Sequence, residues 1–245
     1  MENYIKFDFN ITEYKCPHCQ KGYLLLEKDL FLEEQYQKSI DNGTFKINDE
    51  DYDYDDSFYL GTIAGQLKCN HPDCAEITSF IGETKCNLNF YDEDDREIEV
   101  LEKGIFFKYF IPSIHIIELK DNYPQELQKI LLESFSLYFS SYSACINTLR
   151  ILLEKLCELH GLTADSLHER LDKLKFSEDL KDLLKAIKWI GNEGSHSLEV
   201  IEKDDLDLTY RFIRKAFDEI YPSPTDDEEL IALAKEINDN KGLKK

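Results

Sequence analysis

Two pairs of closely spaced cysteines constrain this chain more than any other feature of its sequence. The first pair is Cys16 and Cys19, with two residues between them, and the second is Cys69 and Cys74, with four residues between them. Each pair can present two thiolates to one cation, and zinc takes four such ligands in a tetrahedron. The sequence therefore predicts one metal site on a β-ribbon, formed by Cys16, Cys19, Cys69 and Cys74.

The surroundings of the two pairs favour a structural Zn²⁺ ion, one per chain. Pro17 and Gly22 suit the tight turns that metal-binding cysteines need. A catalytic zinc keeps an open coordination position beside an acid or base, and four thiolates leave neither. Two alternatives stay open: His18 or His71 replaces one thiolate, or the four residues are ordinary reduced cysteines.

The other cysteines and the N-terminus indicate a reducing compartment. Cys86, Cys145 and Cys157 fall on apolar faces and are predicted to be buried thiols. The residues after Met1 lack the basic and apolar parts of a secretory signal, and no apolar run is long enough to span a membrane. We therefore expect a cytoplasmic protein without disulfide bonds and without a membrane partner.

The charge of the chain restricts its partners. Asp and Glu number 50 against 29 Lys and Arg, which gives a formal net charge of −21. Such a field repels phosphate backbones, so general nucleic-acid binding is not favoured. The charge is explained by solubility, by contact with a basic partner, or by mimicry of a nucleic acid.

The first part of the chain, to about Glu102, and the residues just beyond it are predicted to contain short strands. Alternation of apolar and polar residues predicts strands at 4–9, 86–90 and 114–116, and short apolar runs predict more buried strands at 23–26 and 105–107. A helix is predicted from Asp29 to Asn42, because Asn42-Gly43 is a stop signal. Two acidic segments, Asp49 to Asp56 and Asp92 to Asp95, are predicted to be solvated loops.

Beyond Tyr123 the apolar residues recur with helical spacing, which predicts five amphipathic helices. They begin near Pro124, Tyr142, Leu167, Ser177 and Asp204. Gly161 is predicted to end the second helix, and a short last helix follows Pro224. The predicted fold class is α+β: a β-rich zinc-ribbon region over residues 1–106, a helical bundle over 107–222, and a short helix and tail over 223–245.

The segment from Ile190 to His196 is unusual for a helical region. It contains Gly191 and Gly194, which predict a break after the fourth helix and a close approach of the backbone to a neighbour. The histidine of this segment, His196, has two polar residues close to it in the sequence, Asn192 and Ser195. The ring of His196 is therefore interpreted either as a structural cap or as a reactive group.

The helical part resembles the HEPN-related family "domain of unknown function 4145", which accompanies restriction and phage-defence proteins, often behind a zinc ribbon. The resemblance spans roughly residues 107–222 and rests on Tyr123-Pro124, Glu133-Ser134, the run from Leu149 to Cys157, Gly161, and the run from Gly191 to His196. It implies a HEPN-like helical bundle and a homodimer, or a protein partner within a defence system.

The Gly191 segment also resembles the Arg-Asn-x-x-x-His motif of HEPN ribonucleases, in which the histidine and arginine surround the scissile phosphate. Here Asn192 and His196 align with the motif, whereas Gly191 occupies the arginine position. The resemblance implies His196 and Asn192 as candidate catalytic residues, with Lys188 or Arg150 as the replacement cation. Arg150 and Glu154 are also spaced as a helix-surface pair or as an anchor for the histidine.

Because the motif lacks its arginine, we expect a non-catalytic, zinc-containing, HEPN-like binding or regulatory protein in anti-phage defence or restriction. One alternative is a metal-independent endoribonuclease, an RNA-cleaving toxin that uses His196. Another is an acidic nucleic-acid mimic that inhibits a DNA-binding enzyme.

Overall fold

A computed structural model describes residues 4–6, 14–36, 59–93, 96–163, 166–196 and 201–223, together with four helical positions at 231, 234, 235 and 237. Within these residues an antiparallel sheet of five strands is followed by five helices. The predicted α+β class is therefore confirmed. None of the helices in these ranges is long and apolar enough to cross a membrane.

The five strands pair only with antiparallel neighbours, in the order β1-β5-β4-β3-β2. Their bounds are β1 Tyr4–Lys6, β2 Leu24–Gln35, β3 Tyr59–Cys69, β4 Ile77–Glu93 and β5 Arg96–Ile111. Successive side chains of a strand point to opposite faces, so one face can be buried while the other meets water. In β3 and β4 the buried face carries Ile63, Leu67 and Phe80.

A bulge in β5 curves the sheet. Phe107 pairs with Gly82 and Tyr109 with Ile81, so Lys108 is the additional residue on β5. A Cβ atom on Gly82 would lie 2.6 Å from a β5 carbonyl oxygen. Only glycine allows this approach of the two backbones.

The five predicted helices are confirmed: α1 Gln125–Leu137, α2 Tyr142–Leu159, α3 Leu167–Lys173, α4 Glu178–His196 and α5 Lys203–Ile220. Their ends follow local signals in the sequence. The Ser141 hydroxyl accepts a hydrogen bond from the Ala144 N–H at the start of α2, and Gly161 has a φ of +69° just beyond its end. As predicted, the Ser177 hydroxyl caps α4 by accepting from the Leu180 N–H.

The helix predicted from Asp29 to Asn42 is wrong over its first half, because β2 continues to Gln35. The segment from Phe31 to Gln35 pairs with β3 from Gly61 to Gly65, and this ladder overrides the helical preference of its glutamates. Residues 37–42 and the acidic segment 49–56 lie outside the described residues.

Two further predictions in the N-terminal half are corrected. Residues 114–116 form a loop and not a strand. The strand β5 ends at Ile111 because the next residue, Pro112, has no N–H to donate to a neighbouring strand. Ile114 of the loop is buried. The acidic loop predicted at 92–95 is wrong for Asp92 and Glu93, because β4 continues to Glu93, which pairs with Arg96 of β5. Residues 94 and 95 lie outside the described residues.

The helix break predicted at Gly191 is also wrong, since α4 continues to His196. Gly191 is buried, and a Cβ atom there would lie 3.3 Å from the Cβ of Arg150 on α2. The close approach predicted for this glycine is therefore present, but between two intact helices.

One apolar core continues from the sheet into the helices. At the junction the ring of Tyr14 lies 6.0 Å from Phe107 and 5.6 Å from Phe139, measured between centroids. Phe110 of β5 lies 4.9 Å from Phe139, which follows α1. Aromatic edge-to-face pairs of this kind join the first cysteine segment, the sheet and the helices. β5 itself ends at Ile111, beyond the predicted domain boundary at residue 106.

Candidate metal centre

The structure brings the four predicted cysteines together at one end of the sheet. Their four sulfur atoms all lie within 4.8 Å of one another. The Sγ atoms of Cys16 and Cys74 are 3.8 Å apart, and those of Cys19 and Cys69 are 3.7 Å apart. Four Zn–S bonds of about 2.3 Å in a regular tetrahedron place neighbouring sulfurs about 3.8 Å apart. The donor set therefore fits a tetrahedral metal ion of the size of zinc.

The first cysteine pair lies in a tight turn just before β2. Lys15 and Tyr23 pair across the base of this turn. Inside it the Cys16 N–H donates to the Gly22 carbonyl at 2.8 Å, and the Gln20 N–H donates to the Cys16 carbonyl at 2.9 Å. These bonds point both thiols of the pair in one direction.

The second pair begins at Cys69, the last residue of β3, and ends in the turn that leads to β4. In this turn the Cys74 N–H donates to the His71 carbonyl at 3.0 Å. Asn70 connects the two turns: its N–H donates to the Tyr23 carbonyl at 2.9 Å, and its side-chain oxygen accepts from the Tyr23 N–H at 2.8 Å. The two pairs are thus held together by the backbone as well as by any metal.

Both turns use the same unusual backbone conformation. Gln20, directly after Cys19, has a φ of +58°, and Ala75, directly after Cys74, has a φ of +51°. A left-handed conformation costs a non-glycine residue about 1–2 kcal/mol. Two such residues at equivalent places indicate that the geometry of the cysteines takes precedence over local backbone preference.

Backbone N–H groups and burial act on the thiols in opposite directions. The N–H groups of Gly22 and His71 donate to the sulfurs of Cys19 and Cys69, each at 3.4 Å. The backbone donors of Gly22 and Lys21 lower the pKa of Cys19 to about 6, whereas burial raises the pKa of Cys69 to about 12. Four adjacent thiolates need a cation to balance their charge, and a divalent metal supplies it.

Gly22 leaves no room for a side chain beside the sulfurs. A Cβ atom at this position would lie 2.5 Å from the Cys69 sulfur and 2.8 Å from the Cβ of His71. The glycine expected from the sequence to suit a tight turn therefore also allows the second cysteine segment to approach.

Neither histidine near the cysteines joins the group. Among the described residues, the cluster of possible metal ligands at this site contains the four cysteines alone. Nδ1 of His71 accepts a hydrogen bond from the Asp73 N–H at 3.3 Å, which uses that nitrogen within its own turn. His18 is exposed.

The first cysteine turn also contacts the segment that leads to the helices. The side-chain amide of Gln20 lies 2.5 Å from Nδ1 of His115, and the His115 ring lies 5.5 Å from the ring of Phe135 on α1. Burial lowers the pKa of His115, and the charge of His18 lowers it further. The neutral ring can therefore accept the Gln20 amide hydrogen. This contact joins residues 95 positions apart, and no local pattern in the sequence indicates it.

Of the four candidate residues of the HEPN-like motif, the structure describes the side chains of Arg150 and Lys188. Arg150 and Glu154 on α2 form the predicted surface pair, with 3.8 Å between Nη2 and Oε1. Lys188 is buried, and its ammonium lies 3.5 Å from the ring centroid of Trp189. The backbones of Asn192 and His196 belong to α4, but their side chains lie outside the described residues.

Two of the other three cysteines are buried as predicted. Cys157 and Cys145 are fully buried in the helical core, and burial raises the pKa of both thiols, to about 11 and about 12. The Cys145 sulfur lies 3.2 Å from the Tyr210 hydroxyl. The side chain of Cys86 lies outside the described residues.

Two family matches divide the chain much as the fold does. Residues 6–111 match the family described as Domain of unknown function (DUF8608), and residues 133–240 match the family described as Domain of unknown function (DUF4145). Comparison with curated proteins gave no match, and neither did comparison with solved structures. The chain thus joins a sheet with a four-cysteine cluster, similar to one family of unknown function, to a helical part similar to another.

Proposed function

We propose that this chain is a zinc-containing, non-catalytic binding or regulatory protein. One Zn²⁺ ion per chain is held by Cys16, Cys19, Cys69 and Cys74. The observation that carries the proposal is the distance between sulfurs of the two pairs, 3.8 Å from Cys16 to Cys74 and 3.7 Å from Cys19 to Cys69, which is compatible with a tetrahedral zinc–thiolate centre.

The role of this zinc is structural. Four thiolates fill its coordination sphere, so no position is left for a water or a substrate. Cys16 is 0% exposed and Cys69 is 4% exposed, which keeps two of the sulfurs away from solvent. The metal fastens the turn before β2 to the turn between β3 and β4. We place the protein in the cytoplasm, where thiols stay reduced.

The binding role belongs to the helical part, for which we propose a HEPN-like fold and a place in anti-phage defence or restriction. Support comes from the match of residues 133–240 and from the resemblance of the Gly191 to His196 segment to a HEPN motif. Gly191 stands where that motif has its arginine, and a rate loss of about 10²–10³ follows the removal of one transition-state donor of this kind. We therefore propose that the protein does not cleave RNA.

One observation favours a second candidate, a metal-independent endoribonuclease. Three side-chain carbons of Arg150 lie 3.3–3.8 Å from the place where a side chain on Gly191 would begin. A neighbouring helix thus supplies an arginine close to the position that the motif leaves empty. His196 would remain the proton donor and acceptor in this reaction.

Zinc content tests the proposed function directly. Elemental analysis of freshly purified full-length protein should give one zinc per chain. Cys16→Ser and Cys69→Ser should lose the metal, whereas Cys157→Ser, which removes a buried thiol far along the chain, should retain it. Less than about half a zinc in the wild-type protein would overturn the proposal, since a closed four-thiolate site binds zinc by about 10–16 kcal/mol.

Incubation with structured RNA and transfer RNA separates the two candidates. We expect no cleavage by the wild-type protein, by Arg150→Ala or by His196→Ala. Cleavage by the wild type that disappears in both variants would establish the ribonuclease. A contaminating nuclease would leave the activity unchanged in both.

A further inference from the structure

Gln20 follows Cys19 in the first cysteine turn and holds that turn with both its backbone and its side chain. Its N–H donates to the Cys16 carbonyl at 2.9 Å. Its side-chain amide nitrogen donates to the Pro17 carbonyl at 3.2 Å and lies 2.5 Å from Nδ1 of His115. A glutamine amide nitrogen carries two hydrogens, so it can serve both acceptors. One side chain therefore connects the cysteine turn to the segment that leads to the helices.

The second cysteine turn shows that the backbone of such a turn does not require a glutamine. Ala75 occupies the equivalent place after Cys74, and its φ of +51° is close to the +58° of Gln20. Alanine meets the same backbone requirement with no functional group on its side chain. Glutamine is not a residue type that favours the left-handed conformation, so the turn itself does not explain its presence. The side-chain contacts of Gln20, above all the one with His115, do explain it.

His115 connects Gln20 to the centre of the helical core. It lies in the loop between β5 and α1, and its ring centroid is 5.5 Å from that of Phe135 on α1. The Phe135 ring lies 5.7 Å from the ring of Tyr210 on α5, and these two side chains are 1% and 2% exposed. Protein interiors are close-packed and transmit strain. A displacement of Gln20 therefore reaches the helical core through one hydrogen bond and two ring contacts.

We propose that Gln20 is a positioning residue for the metal centre, which holds the turn of Cys16 and Cys19 against His115 so that zinc binding and helix packing stabilise each other. The inference rests on the proposed zinc site, in which neither Gln20 nor His115 is a ligand. A contact that favours the metal-binding form of the turn raises the zinc affinity. By linkage, bound zinc strengthens that contact by the same factor. The metal centre and the helical part are therefore coupled, and are not two independent modules.

The zinc affinity of full-length variants, measured at neutral pH by competition with a chromogenic chelator, tests the role of Gln20. Gln20→Ala should raise the zinc Kd about tenfold, because two side-chain hydrogen bonds of the turn are lost. Gln20→Gly should raise it at least as much, although glycine relieves the left-handed backbone. Ala75→Gly is the matched control, because it gives the same relief in the other turn. Its zinc Kd should stay within about twofold of the wild-type value.

A double-mutant cycle tests whether Gln20 acts through His115. His115→Phe keeps a ring against Phe135 but removes the acceptor nitrogen, and it should raise the zinc Kd about threefold. The double variant should bind zinc no more weakly than Gln20→Ala alone, because both changes remove the same contact. Cobalt(II) bound in place of zinc should give the absorption spectrum of a tetrahedral thiolate site in every variant. An unchanged spectrum means that the ligands are retained and only their positioning is altered.

Hydrogen exchange, followed by mass spectrometry, tests the effect of zinc on the helices. Removal of zinc from the wild-type protein should speed exchange in α1 around Phe135, because the contact with His115 is weakened. The helix α3, which packs on α2 and α4, is the internal reference and should keep its exchange rates. In Gln20→Ala, exchange in α1 should already be faster with zinc bound and should change less when zinc is removed.

Four results would overturn this inference while leaving the proposed zinc site in place. They are a wild-type zinc Kd in Gln20→Ala, an equal loss in Ala75→Gly, additive losses in the double variant, and unchanged exchange in α1 after zinc removal. If Gln20→Ala does not fold, His115→Phe still decides, because it leaves the cysteine turn unaltered and a wild-type Kd there would end the proposal. A wild-type protein that binds no zinc would instead overturn the proposed function, and this inference with it.

Discussion

Replacing Gly22 by alanine tests how closely the two cysteine turns must approach. The new Cβ atom would lie 2.5 Å from the Cys69 sulfur, 2.8 Å from the His71 Cβ and 3.0 Å from the Asn70 side-chain oxygen. Ordinary contacts between such atoms are about 3.5–4.0 Å, so the sulfur or the turn must move by about 1 Å. A zinc–sulfur distance tolerates only about 0.2 Å of change.

The expected loss follows from the strength of a structural zinc site. Four ligands share about 10–16 kcal/mol of apparent binding free energy, which is about 2.5–4 kcal/mol for each. If Gly22→Ala displaces one sulfur, the zinc affinity should fall by about 100- to 1,000-fold. Competition with a chromogenic chelator measures this fall. Lys21→Ala is the matched control, because its exposed side chain is removed while its N–H stays in place.

A wild-type zinc affinity in Gly22→Ala would refute the reasoning, since it would mean that the two turns do not touch at Gly22. A fall of the same size in Lys21→Ala would also refute it, because the loss would then not come from the added Cβ atom.

Three further predictions follow from particular residues. Ala75→Gly should raise the unfolding free energy of the zinc-loaded protein by about 1 kcal/mol in denaturant titrations, because it relieves the left-handed conformation at φ +51°; a loss of stability would contradict this. Burial lowers the pKa of His115 below 6.5, so its contribution to stability is complete above pH 6.5 and is lost as the pH falls through the lowered value. Unfolding curves of His115→Gln should therefore depend less on pH in that window than those of the wild type, and equal slopes would contradict the assignment. Gly191→Arg should lower the melting temperature because the new side chain meets Arg150, and Arg150→Ala in the same chain should restore part of it; additive losses would contradict the contact.

The features that could be predicted from the sequence are those set by residues close together in the chain. The helix of Tyr142 to Leu159 begins at a serine that caps it and ends near a glycine with positive φ, and both signals are local. The four cysteines were found in the same way, because each pair occupies a single turn and zinc chemistry implies that the pairs meet.

The errors come from contacts between distant parts of the chain. The segment from Phe31 to Gln35 has a helical composition, but its pairing with β3 makes it a strand. Glycine is a residue type that favours a helix break, yet α4 continues through Gly191, where the helix packs against Arg150 of α2. The contact between Gln20 and His115 joins a turn to a loop 95 residues further along the chain, and no local pattern in the sequence specifies it.

X-ray absorption at the zinc edge, on the freshly purified full-length protein, tests the central claim most directly. The account predicts four sulfur neighbours at about 2.3 Å and no lighter ligand. A nitrogen or oxygen neighbour at about 2.0–2.1 Å would contradict the four-cysteine centre, as would a sample that contains no zinc.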